Sequence, residues 1–237
     1  LVETSITVNS SSAGDDIVFS DGSSDDSLGS GDDVVVVTAS SGQGDLFGGD
    51  GVDTLDLSTL TGSQGAIVDL NLQKLILPNT GNKGSVRDLT GFEVIQGSEQ
   101  SDTFVGNDST NQPIIIRGGG GSDRIIAGKG DDVIEGGAGN DSLTGGEGVD
   151  IFVFTPDSGD DRIEDFNLGV DKLVFAGFGL TFLSDGNWPS EVAVEASGAD
   201  LKVTITSNGT AQTLTLAGLA LSVASPELLA GSEFTET

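Results

Sequence analysis

Four consecutive nonapeptides between Gly118 and Val153 constrain this chain more than any other stretch: GGGGSDRII, AGKGDDVIE, GGAGNDSLT and GGEGVDIFV. Asp123, Asp132, Asp141 and Asp150 recur every nine residues, in phase with Ile125, Ile134, Leu143 and Phe152. Such a period fits neither a helical face nor a simple alternating strand. It describes a glycine turn followed by a short strand, repeated, and units of that size must stack to bury their apolar residues. A glycine-rich linker would not keep aspartate and apolar positions in phase through four copies.

The residue types set the chemistry. Glycines at the first, second and fourth places allow positive φ and tight turns. Turns of this kind expose carbonyl oxygens, and the aspartate at the sixth place adds a carboxylate. Calcium takes six to eight hard oxygen ligands at about 2.3–2.6 Å. The apolar residue at the eighth place lies on a short strand and is expected to face inward. If two nonapeptides form one coil, turns eighteen residues apart stack, bringing Asp123 to Asp141 and Asp132 to Asp150. An ion between them would offset the carboxylate repulsion that otherwise opens the stack.

The block resembles the RTX (repeats-in-toxin) calcium-binding family of secreted bacterial proteins exported by type I secretion. The resemblance implies an all-β fold: a parallel β-roll, a β-helix-like solenoid, with calcium in its turns. It also implies a ligand set. Carbonyls at the second and fourth places join the aspartate of one turn, and carbonyls at the first and third places join the aspartate of the stacked turn. Carried onto this chain, one ion takes Gly119, Gly121 and Asp123 with Gly136, Ala138 and Asp141. Another takes Gly128, Gly130 and Asp132 with Gly145, Glu147 and Asp150. The resemblance covers residues 11–56 and 97–175 well, and 57–96 and 176–237 in general character.

Composition narrows the function classes. Across 237 residues, 38 acidic side chains against nine basic ones give a net charge of −29. That balance argues for a multivalent cation and against nucleic acid or insertion into an anionic membrane. His and Cys are absent, so disulfides, zinc sites of the Cys/His type and Ser–His–Asp arrangements are excluded. No HExxH motif is present, and the chain reads as non-catalytic. With no initiator Met, signal peptide or transmembrane run, it reads as a fragment or processed C-terminal part of a longer protein.

In chain order, residues 1–56 read as an N-terminal strand and an imperfect first roll block. Gly14 with Asp16, Gly31 with Asp33, then Asp45 and Asp53 are its candidate ligands. The separations Asp16, Asp26, Asp33, Asp45, Asp53 are ten, seven, twelve and eight, which is irregular and predicts fewer ions. Residues 57–96 form a β-rich insertion with strands over 66–72 and 75–77, read as a spacer that widens the roll. Residues 97–160 form the second block, with Asp160 as a candidate last ligand. Asp102, twenty-one residues before Asp123, lies off the eighteen-residue coil and receives no firm ion. Residues 161–237 form a β-rich cap and secretion region, with a hairpin at Asn208-Gly209 and an aromatic core from Trp188 and the phenylalanines of 166–182.

The resemblance therefore implies a non-catalytic module that binds several calcium ions and folds on extracellular calcium after type I secretion. It would serve a larger secreted or cell-surface bacterial protein, a surface layer or an adhesin. Its partners would be calcium, the type I secretion apparatus, and a cell-surface glycan or further copies of itself. The alternatives are the C-terminal tail of an exported protease, lipase or alginate epimerase, or a carbohydrate-binding or self-assembling surface module.

Overall fold

A computed structural model describes residues 9–21, 23–38, 44–77, 85–178, 191–207 and 209–219. Among these residues there is no helix, only short strands that alternate between two sheets. One sheet has eight strands: β2 (Ile17–Ser20), β4 (Val34–Val37), β6 (Thr54–Asp56), β10 (Val94–Gln96), β12 (Ile115–Gly120), β14 (Val133–Ala138), β16 (Ile151–Phe154) and β18 (Lys172–Phe175). They lie side by side in that order, all parallel.

The facing sheet has thirteen: β1 (Asn9–Ala13), β3 (Asp26–Ser30), β5 (Leu46–Asp50), β7 (Ile67–Asp69), β8 (Lys74–Leu77), β9 (Ser85–Thr90), β11 (Thr103–Asn107), β13 (Arg124–Lys129), β15 (Ser142–Glu147), β17 (Asp161–Ile163), β19 (Val192–Ser197), β20 (Asp200–Ser207) and β21 (Thr210–Leu216). The chain is a parallel β-solenoid, a β-roll, with two strands per coil.

In the clean repeats the coil is eighteen residues: Ile116 pairs with Ile134, Ile134 with Phe152, and Ile125 with Leu143. Because side chains alternate across a strand, the eighth-place residues point into the roll and stack in columns. One column runs Ile116, Ile134, Phe152, Leu173, and the facing one runs Phe104, Ile125, Leu143, Ile163, all essentially removed from solvent. In the repeats the core between the sheets is thin, with only one or two inward hydrophobic residues per strand, such as Ile125 with Ala127 and Phe152 with Phe154. Each column member relies on a few stacked, facing and same-strand neighbours to fill the space. Trimming Ile134 to valine should therefore cost about 1 kcal/mol, read as a lower urea midpoint at unchanged slope.

The irregular first block becomes orderly once its turns are assigned to alternate edges. Ile17 pairs with Val34 and Val34 with Thr54, giving coils of seventeen and twenty residues on one sheet. Asp26 pairs with Leu46 on the other. Extra residues are thus absorbed in the turns of these coils, while the β1–β3 pairing shifts register between Asn9 and Ser12. Along the run Val34–Val37, Val35, Val36 and Val37 are buried, so the strand is covered on both faces.

The insertion splices two antiparallel pairings into a parallel sheet. β9 continues β5 in parallel (Leu46 with Leu89), β8 runs antiparallel to β9 and to β7, and β7 resumes parallel pairing with β11. On the opposite sheet β6 passes directly to β10 (Thr54 with Val94). One face of the roll therefore gains two strands that the other lacks. At the C-terminal end β21 extends β17 in parallel, then β20 and β19 follow antiparallel. The hairpin expected near 208–209 is present, with Ser207 opposite Thr210 and Gly209 at φ 83°. Phe166, Phe175 and Phe178 close the core there, with ring centroids 6.1 Å (Phe152–Phe166) and 6.0 Å (Phe175–Phe178) apart. Phe182, Trp188 and Asn208 lie outside the described residues.

Candidate metal centre

Each strand is entered through the sixth-place residue of its turn, and the coil stacks these residues in a row along each edge of the roll. One edge carries Asp16, Asp33, Asp53, Glu93, Ile114, Asp132, Asp150 and Asp171, each immediately before its strand's first paired residue or one register step from it. The other edge carries Asp102, Asp123, Asp141 and Asp161.

Backbone amides tie each row together. Asp102 donates its N–H to Asp123 Oδ1 at 2.7 Å, Asp123 to Asp141 Oδ1 at 2.8 Å, and Asp141 to Asp161 Oδ1 at 2.9 Å. On the opposite edge Asp16 donates to Asp33 Oδ1 (2.8 Å), Asp33 to Asp53 Oδ1 (2.9 Å) and Asp53 to Glu93 Oε2 (3.0 Å). The Ile114 N–H bonds Asp132 Oδ1 (2.8 Å), Asp132 bonds Asp150 Oδ1 (3.1 Å), and Asp150 bonds Asp171 Oδ1 (3.1 Å). A second ladder runs outside the first at the fifth place: Val149 donates to Asp131 Oδ1, Asp160 to Asn140 Oδ1, and Val52 to Asp32 Oδ1.

In five of these carboxylates one oxygen is consumed in this way and the other is left over. Oδ2 of Asp33, Asp53, Asp123, Asp132 and Asp141 is buried and has no hydrogen-bond partner. A buried anionic oxygen without a partner costs free energy unless something positive reaches it. The glycines hold space beside these atoms. A Cβ on Gly118 would collide with Asp123 Oδ2, one on Gly136 with Asp141 Oδ2, and one on Gly145 with Asp150 Oδ2. The first-place glycine is thus needed for the carboxylate, whereas positive φ was expected there. Positive φ belongs to the second and fourth places, as at Gly137 (95°) and Gly139 (141°).

The electrostatics point the same way. Burial raises Asp123 and Asp161 to about 8, Asp150 to about 7 and Asp141 to about 6, from an ordinary value of 3.8. The stacked neighbour adds to the rise, Asp141 acting on both Asp123 and Asp161, and Asp171 and Asp132 on Asp150. Asp132 is also raised, by burial first. Without a cation these groups resist ionisation.

The residues fit a calcium ion on these grounds: orphaned buried carboxylate oxygens, carbonyl-rich glycine turns, and only hard oxygen donors. Among the described residues no three acidic side chains converge on one point. An ion here would take most of its ligands from the main chain.

The sequence-assigned residues fall as follows. Gly119, Gly121 and Asp123 share one turn, Gly136, Ala138 and Asp141 the next, and Gly119 lies in register with Gly137. Gly128, Gly130 and Asp132 belong to turns stacked on those of Gly145, Glu147 and Asp150, and the Gly130 N–H bonds the Glu147 carbonyl at 2.9 Å. Gly14, Asp16, Gly31, Asp33 and Asp53 lie along the edge that continues to Asp132. Asp45 lies elsewhere: it accepts the Asp88 N–H and donates to Asp25 Oδ1, one residue beyond the inner row. In that coil the inner place falls to Gly44, and one coil on to Arg87, fully buried with its guanidinium at Ser20 Oγ (3.3 Å). Asp160 is exposed in the outer ladder, where it accepts the Thr213 N–H (2.7 Å), and the inner place goes to Asp161.

Asp161, Asp171 and Glu93 are row members that sequence reasoning did not list. A signal existed for the first: Asp161-Arg162-Ile163 repeats Asp123-Arg124-Ile125.

Residues 117–152 match the family model of the RTX calcium-binding nonapeptide repeat, in four copies. No curated protein matches the chain. Among solved structures, the chain is similar to the AlgE6R2 subunit of the Azotobacter vinelandii mannuronan C5-epimerase. Identity there is 32%, covering 56% of this chain and 88% of that one, with a TM-score of 0.43. It is also similar to the extracellular lipase LipA from Serratia marcescens, at 21% identity over 92% of this chain and a TM-score of 0.42. The chain spans 38% of the lipase's length.

Proposed function

Because residues 117–152 are RTX calcium-binding nonapeptide repeats, we propose that this chain is a non-catalytic, calcium-dependent folding module of a larger secreted or cell-surface bacterial protein. The observation that carries the reading is the set of five buried carboxylate oxygens without a partner, stacked along both edges of the roll. Asp123 and Asp141, flanked by the 118–123 and 136–141 turns, hold one ion; Asp132 and Asp150, flanked by the 127–132 and 145–150 turns, hold another. Asp33 and Asp53 extend the same edge into the first block. In this reading 1–56 and 97–160 are the ion-binding blocks, 57–96 the insertion between them, and 161–237 the cap.

Bound calcium supplies positive charge to the inner rows. The chain supplies the rest: the glycine turns present carbonyls, the Asp N–H ladder fixes which carboxylate oxygen faces the turn, and the strands bury the apolar columns. At low calcium the net charge of −29 keeps the chain expanded and exportable; at extracellular calcium, where such modules bind at about 10⁻⁴–10⁻³ M, it folds. Size exclusion and far-UV circular dichroism across a calcium titration, with magnesium as control, test this. The expected result is a cooperative, calcium-specific compaction with gain of β signal. Equal compactness in chelator and in calcium would refute it.

A further inference from the structure

Asp102 occupies the inner row one coil before Asp123, within the sequence Gly97-Ser98-Glu99-Gln100-Ser101-Asp102 that matches the repeat in spacing only. Its surroundings differ from those of every other inner aspartate with an orphaned oxygen. Asp102 Oδ1 accepts the Ala66 N–H and lies 3.1 Å from Ser98 Oγ; Oδ2 accepts the Ser98 N–H at 2.7 Å and lies 2.9 Å from the same hydroxyl. Ser98 Oγ in turn accepts the Gln100 N–H at 3.2 Å, so the hydroxyl sits at the centre of the turn. Both residues are buried.

Ser98 stands at the repeat's second place, where Gly119, Gly128, Gly137 and Gly146 all take positive φ; Ser98 does not. Gln100 stands at the fourth place, again in ordinary backbone geometry where the repeats have Gly121, Gly130, Gly139 and Gly148. The turn therefore lacks both the glycine conformations and the unsatisfied carboxylate oxygen of its neighbours. Asp102 instead joins three segments: its carboxylate holds the start of β7 through Ala66 and its own turn through Ser98, and its backbone N–H reaches the next coil at Asp123 Oδ1.

We propose that the Asp102 turn takes no calcium, because Ser98 fills the place an ion would occupy, and that Asp102 and Ser98 form a metal-independent latch between the insertion and the repeat block. Ser98 is the residue that sets this. On this edge the ion row begins at Asp123, since in the described coils before Asp102 the inner place falls to Ser24, Gly44, Arg87 and Ala66. The inference rests on the reading that the orphaned rows hold calcium.

Bound calcium counted by equilibrium dialysis on the full chain, for wild type and three variants, separates the two. Asp123→Asn should lose at least one ion. If it loses none, the calcium reading of the rows fails. Asp102→Asn should keep the wild-type count; a lost ion there, alongside loss in Asp123→Asn, overturns the latch while leaving the calcium reading intact. Should Asp102→Asn not fold, Ser98→Gly decides. Freeing the carboxylate and restoring the turn glycine should raise the count by one, and an unchanged count contradicts the proposal.

Discussion

Replacing Gly139 with alanine should destabilise the calcium-loaded chain by roughly 3 kcal/mol or more, the sum of backbone strain and a clash that cannot relax. Gly139 holds φ at +141°, a conformation that L side chains rarely adopt. A Cβ there would run into the carbonyl oxygen and carbon of Gly121 in the coil beneath. Both opposing atoms are main chain, fixed by strand register on either side, so neither can rotate away. The same carbonyl belongs to the turn assigned to the Asp123–Asp141 ion, so any shift that relieves the clash also moves a ligand. Urea unfolding at saturating calcium should show a lower midpoint for Gly139→Ala, and a calcium titration should show a weaker transition. As a control, Gly198→Ala meets nothing within 4 Å and has only its own φ of 70° to strain it, so its effect should be clearly smaller.

The second large effect is a reversal of pH dependence by calcium. In the folded, metal-free chain Asp123 and Asp161 titrate near 8, Asp150 near 7 and Asp141 near 6, all raised by burial above the 3.8 of an exposed carboxylate. Folding without metal therefore takes up protons. The stability that comes with these protons is fully present below about pH 4 and is lost as pH rises through 6 to 8, a change on the order of a few kcal/mol for the set. Repulsion within a chain of net charge −29 at pH 7 acts in the same direction. With saturating calcium the carboxylates are ionised in the folded state, and stability should no longer fall between pH 5 and 8.5. The folded fraction by far-UV circular dichroism in calcium-stripped buffer, and urea melts in excess calcium, each at pH 5, 7 and 8.5, check both halves. Metal-free stability that rises with pH over this range would contradict the assignment of these four groups.

Much of this was legible in the sequence because the signal is local and repeated. Asp123 and Asp141 lie one coil apart, and an eighteen-residue coil places them side by side, as the Asp123 N–H to Asp141 Oδ1 bond shows. The buried positions of Ile125, Ile134, Leu143 and Phe152 follow from the same period. The first block is harder to read because its aspartates form two interleaved series. Physically they belong to two edges: Asp16, Asp33 and Asp53 share one, while Asp45 lies outside the inner row of the other.

Where the repeat ends, local pattern carries less. Of the insertion's three strands in the thirteen-stranded sheet, those over 66–72 and 75–77 were visible, but β9 was not, and the splice order β5, β9, β8, β7, β11 depends on pairings between distant segments that alternation does not encode. Asp161 rather than Asp160 holds the inner place because β17 is reached through a turn two residues longer than the repeat allows, shifting the register from eighteen to twenty. The role of Ser98 is likewise invisible to periodicity, since it depends on a hydroxyl meeting a carboxylate inside one turn.

The most direct test of the account is a crystal structure grown with calcium and read by anomalous scattering. The prediction is ions within the stacked turns, bonded to the Oδ2 atoms of Asp123, Asp141 and Asp132 that otherwise lack a partner. Ions confined to exposed carboxylates such as Asp131 and Glu147, with those buried oxygens still unliganded, would contradict it.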